Sequence, residues 1–358
     1  MPQLFSEFRV KDVTLKNRIS VSPMCQYSAV DGCANEWHHV HLGAHAIGGA
    51  GLVHVEATAV SPEGRITPGC TGIWTDGHAE KFAPIVKFLK AQGAVPAIQI
   101  AHAGRKASAN RPWEGDDHMK PDDPRAWQPI GPSPVAFGAN LPRVPHEMTK
   151  ADIARVRGDF VAAARRAHDV GFEWLELHFA HGYLAQSFFS PLANTRTDEY
   201  GGSFENRSRF LVETFSAVRK VWPQSLPLAV RLGVSDFQEG SQPLEESIEL
   251  VRRFKSLGLD VIDVSLGFNT RTSPACRGDR LSWCRSPNAC GARRRSRPRP
   301  AGSSPTPWRP TPSSARIAPT SSCWRTQCSP IPTGPITRPR RSTEKTRTRF
   351  CRRLMPTG

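Results

Sequence analysis

A chain of 358 residues with a formal net charge of +16 is long enough for one large α/β barrel or two ordinary domains. The charge is unevenly placed: residues 1–270 hold 28 Lys+Arg against 30 Asp+Glu, and residues 271–358 hold 20 against 2. The near-neutral first part gives no electrostatic reason to expect a nucleic-acid or membrane-surface protein there, and no run approaches the roughly 20 apolar residues of a bilayer span.

The opening MPQLFSEFRVKD has no basic segment leading into an apolar one, so no secretory signal is expected and the cytoplasm is the default location. From Ile19 onward, short apolar runs alternate with helical patterns. ISVSP precedes WHHVHLGAHAIGG, GLVHVEATAV precedes HAEKFAPIVKFLKAQG, and VPAIQI leads into a Gly/Pro/Asp-rich stretch over 101–148. So long a connection without structure is improbable, so an ordered active-site excursion is expected. In MTKADIARVRGDFVAAARRAHDVG, Thr149 predicts a helix cap with Asp152 at the third position, and Ile153, Val156, Phe160 and Ala164 recur at helical spacing. FEWLELH reads as a strand, ENRSRFLVETFSAVRKVWP as a helix, LPLAVRLG as a strand, PLEESIELVRRFKSLG as a helix, and LDVIDVSLG as the sixth strand.

Strands that are almost wholly apolar imply burial on both faces, as in parallel strands covered by helices. Six such units with glycines at strand ends favour an α/β fold of the (β/α)8 TIM-barrel type. No early G-x-G-x-x-G follows a first strand, which argues against a dinucleotide fold. The two further units a barrel needs do not appear after Gly267. Residues 271–358 hold 14 of the 32 prolines and six of the nine cysteines, the Arg/Pro/Ser/Ala/Thr/Cys/Trp mixture of a GC-rich gene read out of frame. A natural disordered basic tail and an unusual folded end are the competing readings. The expected division is therefore an incomplete barrel over 1–270 and an aberrant basic Pro/Arg-rich segment over 271–358. A barrel left open after six strands would expose two long apolar edges.

Three polar clusters fall where barrel strands end, the face on which such folds build their sites. The densest follows the fourth strand: Glu176, His178, His181 and Tyr183. The imidazoles can grip a carbonyl or nitro oxygen, and the phenol can give a proton. Structural histidines, or zinc bound through H-x2-H, are the other readings, but no Cys or carboxylate partner completes a metal site. Glu176 is open between orienting an imidazole and forming a strand-end salt bridge. The second cluster is Ser22-Pro23-Met24-Cys25-Gln26-Tyr27, where Cys25 is either a small buried hydrophobe or a cofactor contact and Tyr27 reaches a substrate. The third joins Gln99 to Arg231: an amide can pair with a heterocycle's imide edge, and a guanidinium can stabilise charge developing on it. His38, His39, His41 and His45 read as packing, surface or interface groups. Cys25, Cys33 and Cys70 form no close-spaced metal pair and no disulfide framework.

The segments LKNRISVSPMCQYSA, WHHVHLGAHAIGGAGLVHVEATAVSPEGRIT, IQIAHAGRKAS, GFEWLELHFAHGYLAQSFFSPLANTRTDEYGGSFENRSRF and AVRLG resemble, in order, the Old Yellow Enzyme family of flavin-dependent ene-reductases, in its bacterial xenobiotic-reductase and thermophilic-like branch. The likeness spans roughly residues 5–270. It implies FMN over the barrel mouth, with Ser22, Pro23, Met24 and Cys25 lining the flavin, Ala57 and Gln99 at the ring, and Arg231 near N1 and the C2 carbonyl. It further implies that His178 and His181 hold the substrate oxygen, that Tyr183 protonates the α-carbon, and that Tyr27 closes the pocket. The implied cycle is ping-pong: NADPH or NADH reduces FMN, and hydride then passes to the β-carbon of an activated alkene. A homo-oligomer is implied as well. The family's FMN-phosphate contacts belong to its seventh and eighth units, of which no motif is recognisable after Asn269.

The competing functions are an inactive truncated-barrel remnant, a nucleic-acid binder working through the basic segment, and a 2,4-dienoyl-CoA reductase-like flavoenzyme. The basic segment carries no recognition fold or aromatic platform. Cys276, Cys284, Cys290, Cys323 and Cys328 lack the compact spacing of an iron–sulfur site.

Overall fold

The computed structural model describes residues 3–270. The expectations for 271–358, including the frame-error reading, lie outside the described residues. In chain order the elements are β1 (Phe8–Val10), β2 (Val13–Leu15), β3 (Ser20–Val21), α1 (Glu36–Ile47), β4 (Leu52–Ala59), α2 (Asp76–Glu80), α3 (Ala83–Ala91), β5 (Val95–Ala101), β6 (Ile130–Gly131), β7 (His146–Glu147), α4 (Lys150–Asp169), β8 (Trp174–Phe179), α5 (Leu184–Phe189), α6 (Phe204–Val221), β9 (Leu228–Gly233), α7 (Leu244–Ser256) and β10 (Val261–Ser265).

Six parallel strands form one sheet in the order β10-β9-β8-β5-β4-β3, each next to its predecessor in the β/α repeat. This is the incomplete barrel that the apolar runs predict. Every residue of β4, β5 and β8 is buried, as strands covered on both faces require. The outer layer packs Phe82, Val86, Phe160, Phe210, Phe215 and Phe254 from the helices onto the sheet. Across the interior of the sheet's lower end lies the antiparallel β1–β2 hairpin, whose Val13 and Leu15 cluster with Leu52, Val95, Trp174 and Ala229. Alternation over three residues was too brief to reveal that hairpin in the sequence.

Four expectations need correction. The first strand is two residues long: β3 pairs with β4 only through Ser20 and Val21. Among the described residues one edge of the sheet is therefore short, and the other is the five-residue β10, with Val264 exposed. The helix read over 78–93 is two helices, α2 and α3, separated before Pro84, whose ring nitrogen cannot donate in a continuous helix. Between Tyr183 and Ser190 the chain forms the wholly buried α5, which the sequence reading left without structure. Thr149 does cap α4, accepting from the Asp152 amide while the Asp152 side chain returns to the Thr149 amide.

The excursion over 101–148 is ordered by side chains reaching back. Arg143 donates to Trp127 O and Met119 O, and Trp127 Nε1 donates to Glu63 O. The parallel β6–β7 pair lies within it.

The motif NxRxDxYGGSxENRxRF builds scaffold. Asn194 donates to Phe188 O and Tyr200 O, and Arg196 forks onto Asp198. Gly201 is obligatory because a Cβ there would stand 2.1 Å from Arg196 O. Arg207, 5% exposed, donates to both Glu246 oxygens at 3.0 and 2.9 Å and to Phe189 O at 2.6 Å. Arg207→Met would strand that carboxylate and the buried carbonyl. It is expected to lower the unfolding free energy by about 3 kcal/mol, read as a shift in urea midpoint.

Candidate functional site

The sheet's carboxyl ends gather the residues singled out above. At the head of β8, His178 is buried and meets Tyr183 edge-on at 5.0 Å between ring centroids and His181 at 4.9 Å. His181 and Tyr183 line an open cleft of about 720 Å³ together with Tyr27, Lys106, Phe137 and Phe268. The turn that creates this cluster is tight. His181 sits in the left-handed region at φ +61°, at a cost of about 1–2 kcal/mol for a side-chain-bearing residue. At Gly182, φ +68°, a Cβ would come within 2.4 Å of Phe268 O.

Burial sets the protonation of all three. Desolvation, helped by the Arg231 and Lys106 charges, holds His181 down at about 3. Desolvation, then His181 and Arg231, pushes His178 well below the ordinary imidazole value. Desolvation raises the Tyr183 phenol well above its usual value. The cluster therefore presents two neutral imidazoles and a protonated phenol. His181 Nε2 is paired with Ser265 Oγ at 2.7 Å, and Lys106 Nζ donates to His181 O at 2.6 Å and to Phe268 O at 2.8 Å. Ser265 and Lys106 were missed in the sequence. Lys106 stood in the quoted IQIAHAGRKAS segment, but nothing local told it from a surface lysine.

Ser22, Pro23, Cys25 and Tyr27 are half-buried on the loop after β3, and Met24 is exposed. Tyr27 has φ +53° and stands edge-on to Trp113 at 5.9 Å. Its carbonyl passes so close to Gly69 that a Cβ there would lie 2.3 Å away. Desolvation, followed by the Glu56 charge, raises the Cys25 thiol well above its ordinary value.

Ala57 on β4 and Gln99 on β5 are register partners, and Gln99 is next to Glu176 on β8. Gln99 Nε2 donates to Glu176 Oε1 at 2.7 Å, which settles the open role of Glu176: it orients the amide, not an imidazole. Arg231 on β9 is flanked in register by His178 and by Asp263 on β10, and its Nε lies 3.3 Å from Asp263 Oδ2. Burial raises Asp263 to about 6, with Glu176 adding to the rise. Gln99 pairs with Glu176 and Arg231 with Asp263 in one interior polar layer, and the Arg231 charge acts on Glu176 across the gap between the two pairs. Among the described residues no three His, Cys, Asp or Glu converge as metal ligands.

A family model described as the NADH:flavin oxidoreductase / NADH oxidase family matches residues 3–273. The chain belongs to that family. Its members use FMN and NAD(P)H, and the chain shares their general activity as FMN-dependent NAD(P)H oxidoreductases of the ene-reductase type. An NADPH dehydrogenase of Bacillus velezensis is 45% identical over 267 residues, covering 74% of this chain and 73% of that protein. Among solved structures, morphinone reductase superposes with a TM-score of 0.64 at 28% identity, over 74% of this chain and 71% of that one. A 2-naphthoyl-CoA reductase complex gives 0.67 at 26% identity, the match spanning 75% of this chain and 41% of that protein. Among the described residues no helix is long and apolar enough to cross a membrane.

Proposed function

We propose that the cleft at the sheet's carboxyl end binds FMN and that this chain reduces activated C=C bonds of α,β-unsaturated carbonyls or nitro compounds at the expense of NADPH or NADH. The observation that carries the reading is the cluster of His178, His181 and Tyr183, held neutral by burial beside the Cys25–Tyr27 loop. The residues fit the ring system of the cofactor. Pro23, Met24 and Cys25 offer a half-exposed, largely apolar face, with Ser22 leading into it and Ala57 below. Gln99 is held by Glu176 with its amide ready for an imide edge, and the Arg231 cation suits negative charge near N1. The buried His178 Nδ1 has hydrogen-bonding capacity that no protein group uses.

FMN held by the Ser22–Cys25 loop, Ala57, Gln99 and Arg231 would supply the two-electron hydride chemistry between nicotinamide and alkene. The protein's part is electrostatic and protonic. His178 and His181 hold the substrate's carbonyl or nitro oxygen as neutral donors. The Ser265 hydroxyl engages His181 Nε2, so Nδ1 is the ring nitrogen left for that contact. Charge gathering on the oxygen in the transition state is stabilised there, which makes the β-carbon electrophilic. Tyr183 then gives its phenolic proton to the α-carbon. Tyr27 closes the cleft with Trp113 behind it.

The same reading takes residues 1–270 as the FMN-binding barrel domain and 271–358 as an appended basic segment. It takes the working form as a homo-oligomer in the cytoplasm. The test is titration of the full chain with FMN, followed by cyclohexenone-dependent NADPH oxidation. Stoichiometric binding with enone turnover is expected. A chain with native circular dichroism that leaves FMN free and cyclohexenone unreduced would overturn the reading.

A further inference from the structure

Beneath the Cys25 loop lies a buried pair that the mechanism above does not use. The β4–β5 register slips between Val55 and Ala57, so Glu56 is the extra residue of a β-bulge, a device that commonly re-aims a side chain beside a site. Glu56 is 3% exposed and His38, on α1, is 1% exposed. Glu56 Oε2 accepts from the Gln26 amide, and Oε1 lies 3.0 Å from His38 Nε2. With Nε2–H turned to the carboxylate, His38 Nδ1 accepts from the Asn35 amide at 3.1 Å. Asn35 in turn caps α1 at Trp37 N and donates to Ser28 O at 2.7 Å, and Trp37 Nε1 donates to Gln26 Oε1 at 3.2 Å. The start of α1 and the bulge of β4 thus grip residues 26–28 from two sides. A buried carboxylate is costly unless hydrogen-bonded, and here a loop amide and the His38 imidazole share that role.

We propose that Glu56 is a positioning residue for the cofactor-facing loop: its carboxylate anchors the Gln26 amide and places a negative charge one peptide from the Cys25 thiol, with His38 as its buried support. The inference rests on the reading of Cys25 as a flavin contact, but the anchoring itself is a property of the protein chain. The groups facing Cys25 are Glu56 and the Ala57 backbone from β4, Cys70 from the segment after it, Tyr27 on its own loop, and Tyr183 from the turn after β8. Of the charged forms Glu56 exerts the largest pull on the thiol, opposing ionisation and adding to desolvation. Cys25 is thereby kept as a neutral thiol.

The test is the pH profile of Cys25 alkylation by iodoacetamide in the flavin-free full chain, followed by peptide mass mapping to separate it from the other eight cysteines. Glu56→Gln keeps an oxygen for the Gln26 amide and removes the charge. Its Cys25 midpoint is expected to fall by about one unit, giving about tenfold faster alkylation near neutral pH. His38→Gln keeps a donor to Glu56 and keeps the charge, so its midpoint should match that of the unaltered chain. An E56Q midpoint equal to the unaltered chain's, or an equal fall in H38Q, would overturn the proposal, since loop damage rather than charge would then be setting the thiol. If E56Q does not fold, amide exchange in the unaltered chain decides. Gln26 N–H, in a segment without helix or strand, should exchange at least about tenfold more slowly than an unbonded loop amide, and an unprotected Gln26 rejects the anchor. Neither readout needs FMN, so failure of cofactor binding and failure of this inference are separate results.

Discussion

Replacing Tyr183 by phenylalanine is expected to slow enone reduction by about a hundredfold or more. The phenol is half-buried beside His178 and kept protonated by desolvation, with the Cys25 and Tyr27 anionic forms opposing its ionisation. Its ring stands 5.0 Å from that of His178 and 6.3 Å from that of His181 between centroids, and phenylalanine preserves the ring contacts while removing only the hydroxyl. Substrate affinity should stay near its original value, because the oxygen is held by His178 and His181. The measurement is the split between kcat and KM for cyclohexenone. A loss confined to KM would assign Tyr183 to binding and leave the proton without a protein donor.

Acid is expected to destabilise the fold well before its carboxylates are exhausted. His54, His102 and His118 are held at about 4 by burial and His181 at about 3, and burial lowers His178 and His41 as well. For a histidine whose folded value is depressed, the unfolded chain binds the proton first. Stability is therefore full above the unfolded value near 6.5 and falls as pH drops below it. Each such histidine contributes a slope of up to about 1.4 kcal/mol per pH unit between roughly pH 6.5 and its folded value. Asp263, raised to about 6, and Glu176, also raised by burial, act in the opposite sense, since the folded chain takes up their protons more readily. Six such histidines outweigh three carboxylates, Asp159 being raised by burial as well. The unfolding temperature followed by circular dichroism should fall clearly between about pH 7 and about pH 5. A flat or rising profile over that window would mean that these imidazoles are solvated or paired.

Much of the site was legible because barrel chemistry is strung along the chain at strand ends. Cys25, Gln99, His178 and Arg231 each follow or end an apolar run, and the structure brings those ends to one side of one sheet. What local pattern could not supply was pairing. Glu176 was open between two roles until its neighbour proved to be Gln99, 77 residues away. His38 read as packing or surface, and it is in fact the partner of a bulged glutamate on the next strand. Lys106 is clamped onto a carbonyl 162 residues further on. These are long-range contacts with no periodicity to announce them.

The amino-acid pattern alone determined the alternation of buried strands and amphipathic helices, the Thr149 cap, the family, and the change of composition after residue 270. Hydrophobic period and capping chemistry act over a few residues, so they are written locally. The tertiary structure decided the length of β3, the bulge at Glu56, the pairing of Ser265 with His181, and the protonation of the imidazoles. Those depend on which strand lies alongside and how much water is excluded, and both are fixed only when the sheet has assembled.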